Sequence, residues 1–198
     1  MNHVSSPARP RRLANLLDTA LSLFVAQGIQ ATSTASIAKA AGVANGTLFH
    51  HFATKQALVD QLYLDAKTSL AQALTATPLT GTAADQLQQC WQRSLNWAKL
   101  HPRQLCLMQQ LSHDPAYSMA RHHALMLETM PFLAELLTNA QQQGMLAPVP
   151  LPLLLNFCHH HFLSTARLFV DQPELATDPD YQHWAFQLLW QGLRPAET

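Results

Sequence analysis

The chain has 198 residues, 48% of them hydrophobic and 12% charged, a balance that supports a buried core and excludes both a disordered polymer and a large multidomain machine. Twelve Lys and Arg offset twelve Asp and Glu, so total charge points to no partner, but its distribution does. Residues 1–56 carry Arg9, Arg11, Arg12, Lys39 and Lys55 against Asp18 alone, a net plus four, and the rest of the chain carries seven cations against eleven carboxylates, a net minus four. A basic head on an acidic body suits a polyanion at one end. Cys90, Cys106 and Cys158 are odd in number and far apart, which does not suit a disulfide scaffold. No apolar stretch of signal-peptide length precedes the first amphipathic segment, and no run approaches the roughly 18 apolar residues of a membrane span. A cytoplasmic protein with no membrane partner is expected.

In chain order, Leu13, Leu16, Leu17, Ala20, Leu21, Phe24 and Val25 recur at the spacing of an amphipathic helix, and Gly28 ends it. Residues 34–41 and 45–51 read as two short helices separated by Gly42 and Val43. Helices this short need packing against neighbours to exist. Thr54 can cap a longer helix over residues 55–74, with Leu58, Leu62, Ala66, Leu70 and Ala73 along one side. Pro, Gly and Thr then cluster over residues 75–83, where the periodicity stops. Further helices are expected over residues 83–99, 102–112, 116–143, 151–171 and 180–193, with Pro131 kinking or splitting the third. Almost nothing alternates as a strand does, so the expected class is all-α.

The two short helices have the residue types of a helix-turn-helix DNA reader. Ala38 is small where the helices approach, Gly42 supplies a left-handed turn residue, and Ile37, Val43 and Leu48 can form the core between them. Ser33 can cap the first helix. Asn45, Thr47, His50 and His51 then point outward, followed by Lys55, a set that suits phosphates and base edges.

Over residues 13–58 this segment resembles the N-terminal DNA-binding module of the TetR family of transcriptional repressors. The resemblance is carried by Gly28, Thr32, Ser33, Ile37, Ala38, Ala41, Gly42, Val43, Gly46, Thr47, Leu48, Phe49, Phe52 and Lys55. It departs from the family at Phe49, where a Tyr hydroxyl commonly meets a phosphate, and at Ala44, where a Ser often caps the recognition helix. Thr34 and Ser36 also replace an apolar and an acidic residue. The resemblance implies phosphate contacts from Thr47, His51 and Lys55 and a base-edge surface of Asn45, Gly46 and His50. Ser33, Thr34 and Phe49 complete the expected DNA-facing set. It also implies a three-helix head, residues 1–56, and a helical effector-binding and dimerisation body, residues 57–198. Arg9, Arg11 and Arg12 read either as an arm reaching into a groove or as a plain tail.

Within the body, Leu151, Leu155, Cys158, Phe162, Ala166 and Phe169 form one apolar stripe, and Leu153, Phe157, His160, Ser164 and Leu168 another on the opposite side. A helix apolar on two sides must bury both, one in its own core and one against a second copy. The expected dimer interface is Leu155 and Phe162 together with Trp184 and Leu188. Trp91, Met108, Met126, Met130, Phe157 and His160 are the expected pocket lining, suited to an apolar or amphipathic effector. No metal or other cofactor is implied. The consecutive His159, His160 and His161 fan over some 200° of a helix and cannot converge on one ion. Enzyme motifs such as G-x-S-x-G, H-E-x-x-H, Walker A and G-x-G-x-x-G are missing. The expectation is a homodimeric repressor on palindromic operator DNA, released by a small effector. The alternatives are a metal-responsive repressor and a DNA-binding regulator with no small-molecule effector.

Overall fold

The computed structural model describes residues 8–114, 117 and 119–195, and the side chains of Ala8, Arg9, Pro10, Met119 and Ala120 lie outside what is described. Among the described residues the chain forms ten helices and no strand: α1 (Ala8–Gln27), α2 (Thr34–Ala40), α3 (Asn45–His51), α4 (Lys55–Leu74), α5 (Ala83–Leu100), α6 (Pro102–Ser112), α7 (Met119–Thr129), α8 (Pro131–Gln142), α9 (Leu151–Asp171) and α10 (Pro179–Leu193). The all-α expectation holds. Pro131 splits rather than kinks the expected helix over residues 116–143: it opens α8, with Met130 as the junction. Proline fits a first turn because its missing N–H has no intrahelical acceptor there.

Local signals set the ends. Gly28 follows α1 at φ 86°, and Gly42 sits between α2 and α3 at φ 68°, left-handed values that cost other residues free energy. Ser33 caps α2 by accepting from Ser36 N at 3.0 Å, and Thr54 caps α4 by accepting from Ala57 N at 3.0 Å. Ala44 leaves α3 with no side-chain cap, so this seven-residue helix depends on packing. Leu48 and Ile37 supply that packing, both fully buried with Phe24 and Leu58, and complete burial of such side chains contributes about 2 kcal/mol each. Asn15 on α1 donates to Ala41 O at 3.1 Å, fixing the end of α2.

In the body, α9 is central: it packs against α5, α6, α7, α8 and α10, while α4 packs against α5, α6 and α7. Head and body meet along α1 and α6. There Arg103 donates to Asp18 at 2.7 Å and Ser22 at 2.6 Å, and Gln110 donates to Phe24 O at 3.0 Å. The domain limit expected at residue 56 falls in the first turn of α4, one continuous helix that starts in the head and ends in the body.

Candidate DNA interface and ligand cavity

The short turn and the shared core of Ile37, Ala38 and Leu48 hold α3 as the outer helix of the pair. Asn45, Gly46, Phe49 and His50 are exposed on it, and Thr47 and His51 are half-buried. The structure therefore brings the expected base-edge set together on one surface. Phe49 is 44% exposed, so an aromatic face without a hydroxyl stands where the family commonly carries a phosphate-binding tyrosine. Ser33 is exposed but already occupied as a cap, and Thr34 is half-buried beside it.

Lys55 is used differently from the expectation. Its ammonium donates to the carbonyls of Ile29 at 2.8 Å, Gln30 at 3.3 Å and Thr32 at 3.1 Å. Three donors meet three acceptors, so Lys55 ties the loop after α1 to the start of α4 instead of reaching outward. Thr32 supports the same loop by donating to Gly28 O at 2.8 Å. Among the head's described side chains, the cations presented outward are Arg11 and Arg12, in the first turns of α1, and Lys39, in the last turn of α2. Lys39 was legible only as part of the head's charge. The head's one carboxylate, Asp18, is held by Arg103.

The body contains a partly open cavity of about 80 Å³, smaller than the roughly 300–1,000 Å³ of drug-sized ligand sites, so a larger occupant has to push its walls apart. Its wall comes from α4 (Lys67, Leu70, Leu74), α5 (Leu87, Cys90, Trp91, Ser94), Met126 and Met130 around the α7–α8 junction, Leu133 on α8, α9 (Cys158, His159, Phe162) and Leu189 on α10. Trp91, Met126 and Met130 line it as expected. Met108 does not, because it is sealed into the core of α6. Phe157 lies on the outward side of α9, its ring against Gly192, where a Cβ would come within 2.6 Å of it. His160 borders a separate small cleft with Tyr63, Tyr117 and His122, and its neighbour His159 reaches the cavity instead.

The expected dimer set divides in two. Leu155 and Phe162 are 3% and 6% exposed, buried within their own subunit, and Phe162 lines the cavity. Trp184 and Leu188 are 61% and 63% exposed, and Leu153, Phe157 and Leu168 on α9 are also exposed, at 37–56%. The second stripe of α9, not the first, is therefore the unpartnered one.

Polar groups on the cavity wall and in the adjoining cleft have distorted acidities. Lys67 is 1% exposed, and burial pulls its ammonium from 10.5 down to about 7, because a dry surrounding disfavours the charged form. His159 is held well below its ordinary value, first by burial and then by the positive charge of Lys67. His122 is pushed down to about 3 by the same two causes in the same order, with His123 and His160 adding to them. Burial raises Cys90 to about 11 and Cys158 to about 12, which makes both inert thiols. His161 stacks on Trp91 at 5.2 Å and meets Ala185 O at 3.1 Å. Among the described residues no three His, Cys, Asp or Glu side chains converge on a point where an ion could sit.

A helix-turn-helix head joined through a continuous helix to a helical body defines a class, the helix-turn-helix transcription regulators. The family model of bacterial regulatory proteins, tetR family, matches residues 16–62. A crystal structure from Shewanella sp. PV-4, assigned to the tetR family of transcription regulators, is 37% identical, covers 92% of this chain and 97% of its own, and superposes with a TM-score of 0.87. The chain belongs to the TetR family, whose members are transcription regulators and not enzymes. The HTH-type transcriptional repressor KstR2 of Mycobacterium tuberculosis is 31% identical over 128 residues, a stretch that is 60% of this chain and 61% of that repressor. KstR2 of Rhodococcus jostii is 45% identical over 51 residues, 26% of this chain and 25% of that protein. The chain thus spans less than two thirds of the length of these curated relatives.

Proposed function

We propose that this protein is a homodimeric repressor that occupies operator DNA and leaves it when a small apolar or amphipathic molecule fills the cavity. The observation that carries the reading is α4: its first residue, Lys55, holds the loop beneath the helix-turn-helix, and Lys67, Leu70 and Leu74, further along the same rod, form the cavity wall. A ligand that displaces the wall acts on the head through one rigid element. It shifts the population only as far as it prefers the DNA-incompetent arrangement, and reversing a 1:99 ratio takes about 10⁴-fold preference.

Asn45, Gly46 and His50 read base edges, Thr47, His51 and Lys39 meet phosphates, and Phe49 packs at their border. Ser33 and Thr34 shape the start of α2. The face of Leu153, Phe157, Leu168, Trp184 and Leu188 pairs with the same face of a second copy, the isologous arrangement that presents two recognition helices to a palindromic site. The test is selection from random duplex DNA followed by anisotropy titration. A palindromic consensus bound by a dimer, with affinity falling steeply as salt rises, supports the reading. A protein that selects no sequence overturns it.

A further inference from the structure

We infer that the cavity is built for an amphipathic anion, a monocarboxylate with an apolar body, whose head group is received by Lys67 and His159. This rests on the reading of the cavity as the effector site and adds the chemical class of its occupant. The wall is almost wholly hydrocarbon, sulfur and aromatic ring: Leu70, Leu74, Leu87, Met126, Met130 and Phe162 surround the space. Lys67 opens on this wall with no carboxylate paired to it among the described ion pairs. Its partners are the ring of Tyr63, with the nitrogen 5.4 Å from the centroid, and His159 Nδ1 at 3.5 Å. A buried cation so thinly compensated is costly, and natural cores keep one only where something offsets it.

The neighbouring polar atoms ask for the same partner. An ammonium only donates, so His159 Nδ1 accepts from Lys67 and the ring proton sits on Nε2. That Nε2 is buried and has no hydrogen-bond partner. In the adjoining cleft Tyr63 Oη and His122 Nδ1 share a hydrogen bond at 2.5 Å, and His122 Nε2 is also buried and unpartnered. The two imidazole rings lie 4.0 Å apart. Trp91, also on the cavity wall, carries a second buried donor without an acceptor, its Nε1. The two unmet groups on the cavity wall, His159 Nε2 and Trp91 Nε1, are donors, so the missing partner there is an acceptor, and the cation beside His159 makes a negatively charged acceptor the best one. A cationic amphiphile would meet Lys67 as a like charge, and a neutral alcohol would leave it uncompensated.

The experiment titrates the full-length protein with matched probes, decanoate, decanol and decylamine, and the aromatic pair 2-naphthoate and 2-naphthylmethanol, by calorimetry. Expected is one carboxylate bound per subunit, at least tenfold tighter than the matching alcohol, with no binding of the amine. Lys67→Met removes the cation while keeping an unbranched apolar side chain, and is expected to bring carboxylate and alcohol to within about threefold of each other. Lys99→Met, outside the cavity wall, keeps the wild-type ratio. Equal affinity of carboxylate and alcohol for the wild type, or a Lys67→Met ratio like the wild type's, overturns the anion inference while the cavity remains an apolar effector site. Failure of every probe to bind overturns the effector site itself, and the inference with it. The wild-type ratio needs no variant to fold.

Discussion

Replacing Lys67 by Met is expected to make the ligand-free protein more stable, and by an amount that depends on pH in a calculable way. The group is a base whose folded-state value lies below its unfolded one, so the folded state carries a penalty that is fully present below pH 7 and is relieved as pH rises toward 10.5. With a folded value of about 7 against 10.5 unfolded, the penalty is about 4 kcal/mol at pH 7 and about 2 kcal/mol at pH 9. The variant strands His159 Nδ1, which loses about 1 kcal/mol, so the net gain is about 3 kcal/mol at pH 7 and about 1 kcal/mol at pH 9. The assay is urea unfolding of both proteins at each pH and at equal protein concentration, since assembly alters apparent stability. His122 and His159 titrate well below this window, and other groups cancel in the difference between the two proteins. A variant less stable than the wild type at pH 7, or a difference that does not shrink between pH 7 and 9, would refute the claim that Lys67 is an uncompensated buried cation.

Lys55→Ala is expected to cost about 2 kcal/mol in urea unfolding, because three carbonyls lose a charged donor, and to leave the salt dependence of operator binding unchanged; a shallower slope would return Lys55 to the phosphate contacts. Lys39→Ala is expected to leave stability alone and to lower the slope of log affinity against log salt by about 2 for a dimer, one phosphate contact per half-site, so an unaltered slope removes Lys39 from the interface. Ser33→Ala should destabilise the protein by about 1 kcal/mol through the lost cap of α2, and thermal melting showing no change would mean water replaces that bond. Trp184→Glu combined with Leu188→Glu is expected to give monomers in sedimentation and at least tenfold weaker operator binding, whereas a variant that stays dimeric would move the interface elsewhere.

Much of the architecture was legible because helix boundaries are written in local chemistry. Thr54 and the cluster at residues 75–83 bracket α4, and Pro150 and the segment after Asp171 bracket α9, so both helices fall where periodicity places them. The head was legible for a different reason: α2 and α3 cannot stand alone, so their small core and their turn are tightly constrained in residue type. What periodicity could not decide was which apolar side of α9 faces inward. Both stripes carry large apolar residues, although the second also holds His160 and Ser164, and the packing of α5, α6 and α8 buries Leu155 and Phe162 and leaves Leu153 and Phe157 outside. Lys67 escaped for the opposite reason, since a lysine among polar neighbours reads as surface. Its signal was present: it lies four residues after Tyr63 and three before Leu70, on the face those two share. The role of Lys55 was hidden because its acceptors are backbone carbonyls some 25 residues away, and carbonyls have no sequence signature.

The seam between α1 and α6 bears on how such regulators can be recombined. Asp18 and Ser22 grip Arg103, and Phe24 O accepts from Gln110, so the reading head is seated on its own body by side chains that a foreign body would have to supply. A hybrid joined within α4 would keep the rod but leave Asp18 and the Phe24 carbonyl facing strangers. Transplanting this head to answer a different signal therefore calls for carrying α6 along with it, or for rebuilding Arg103 and Gln110 on the recipient.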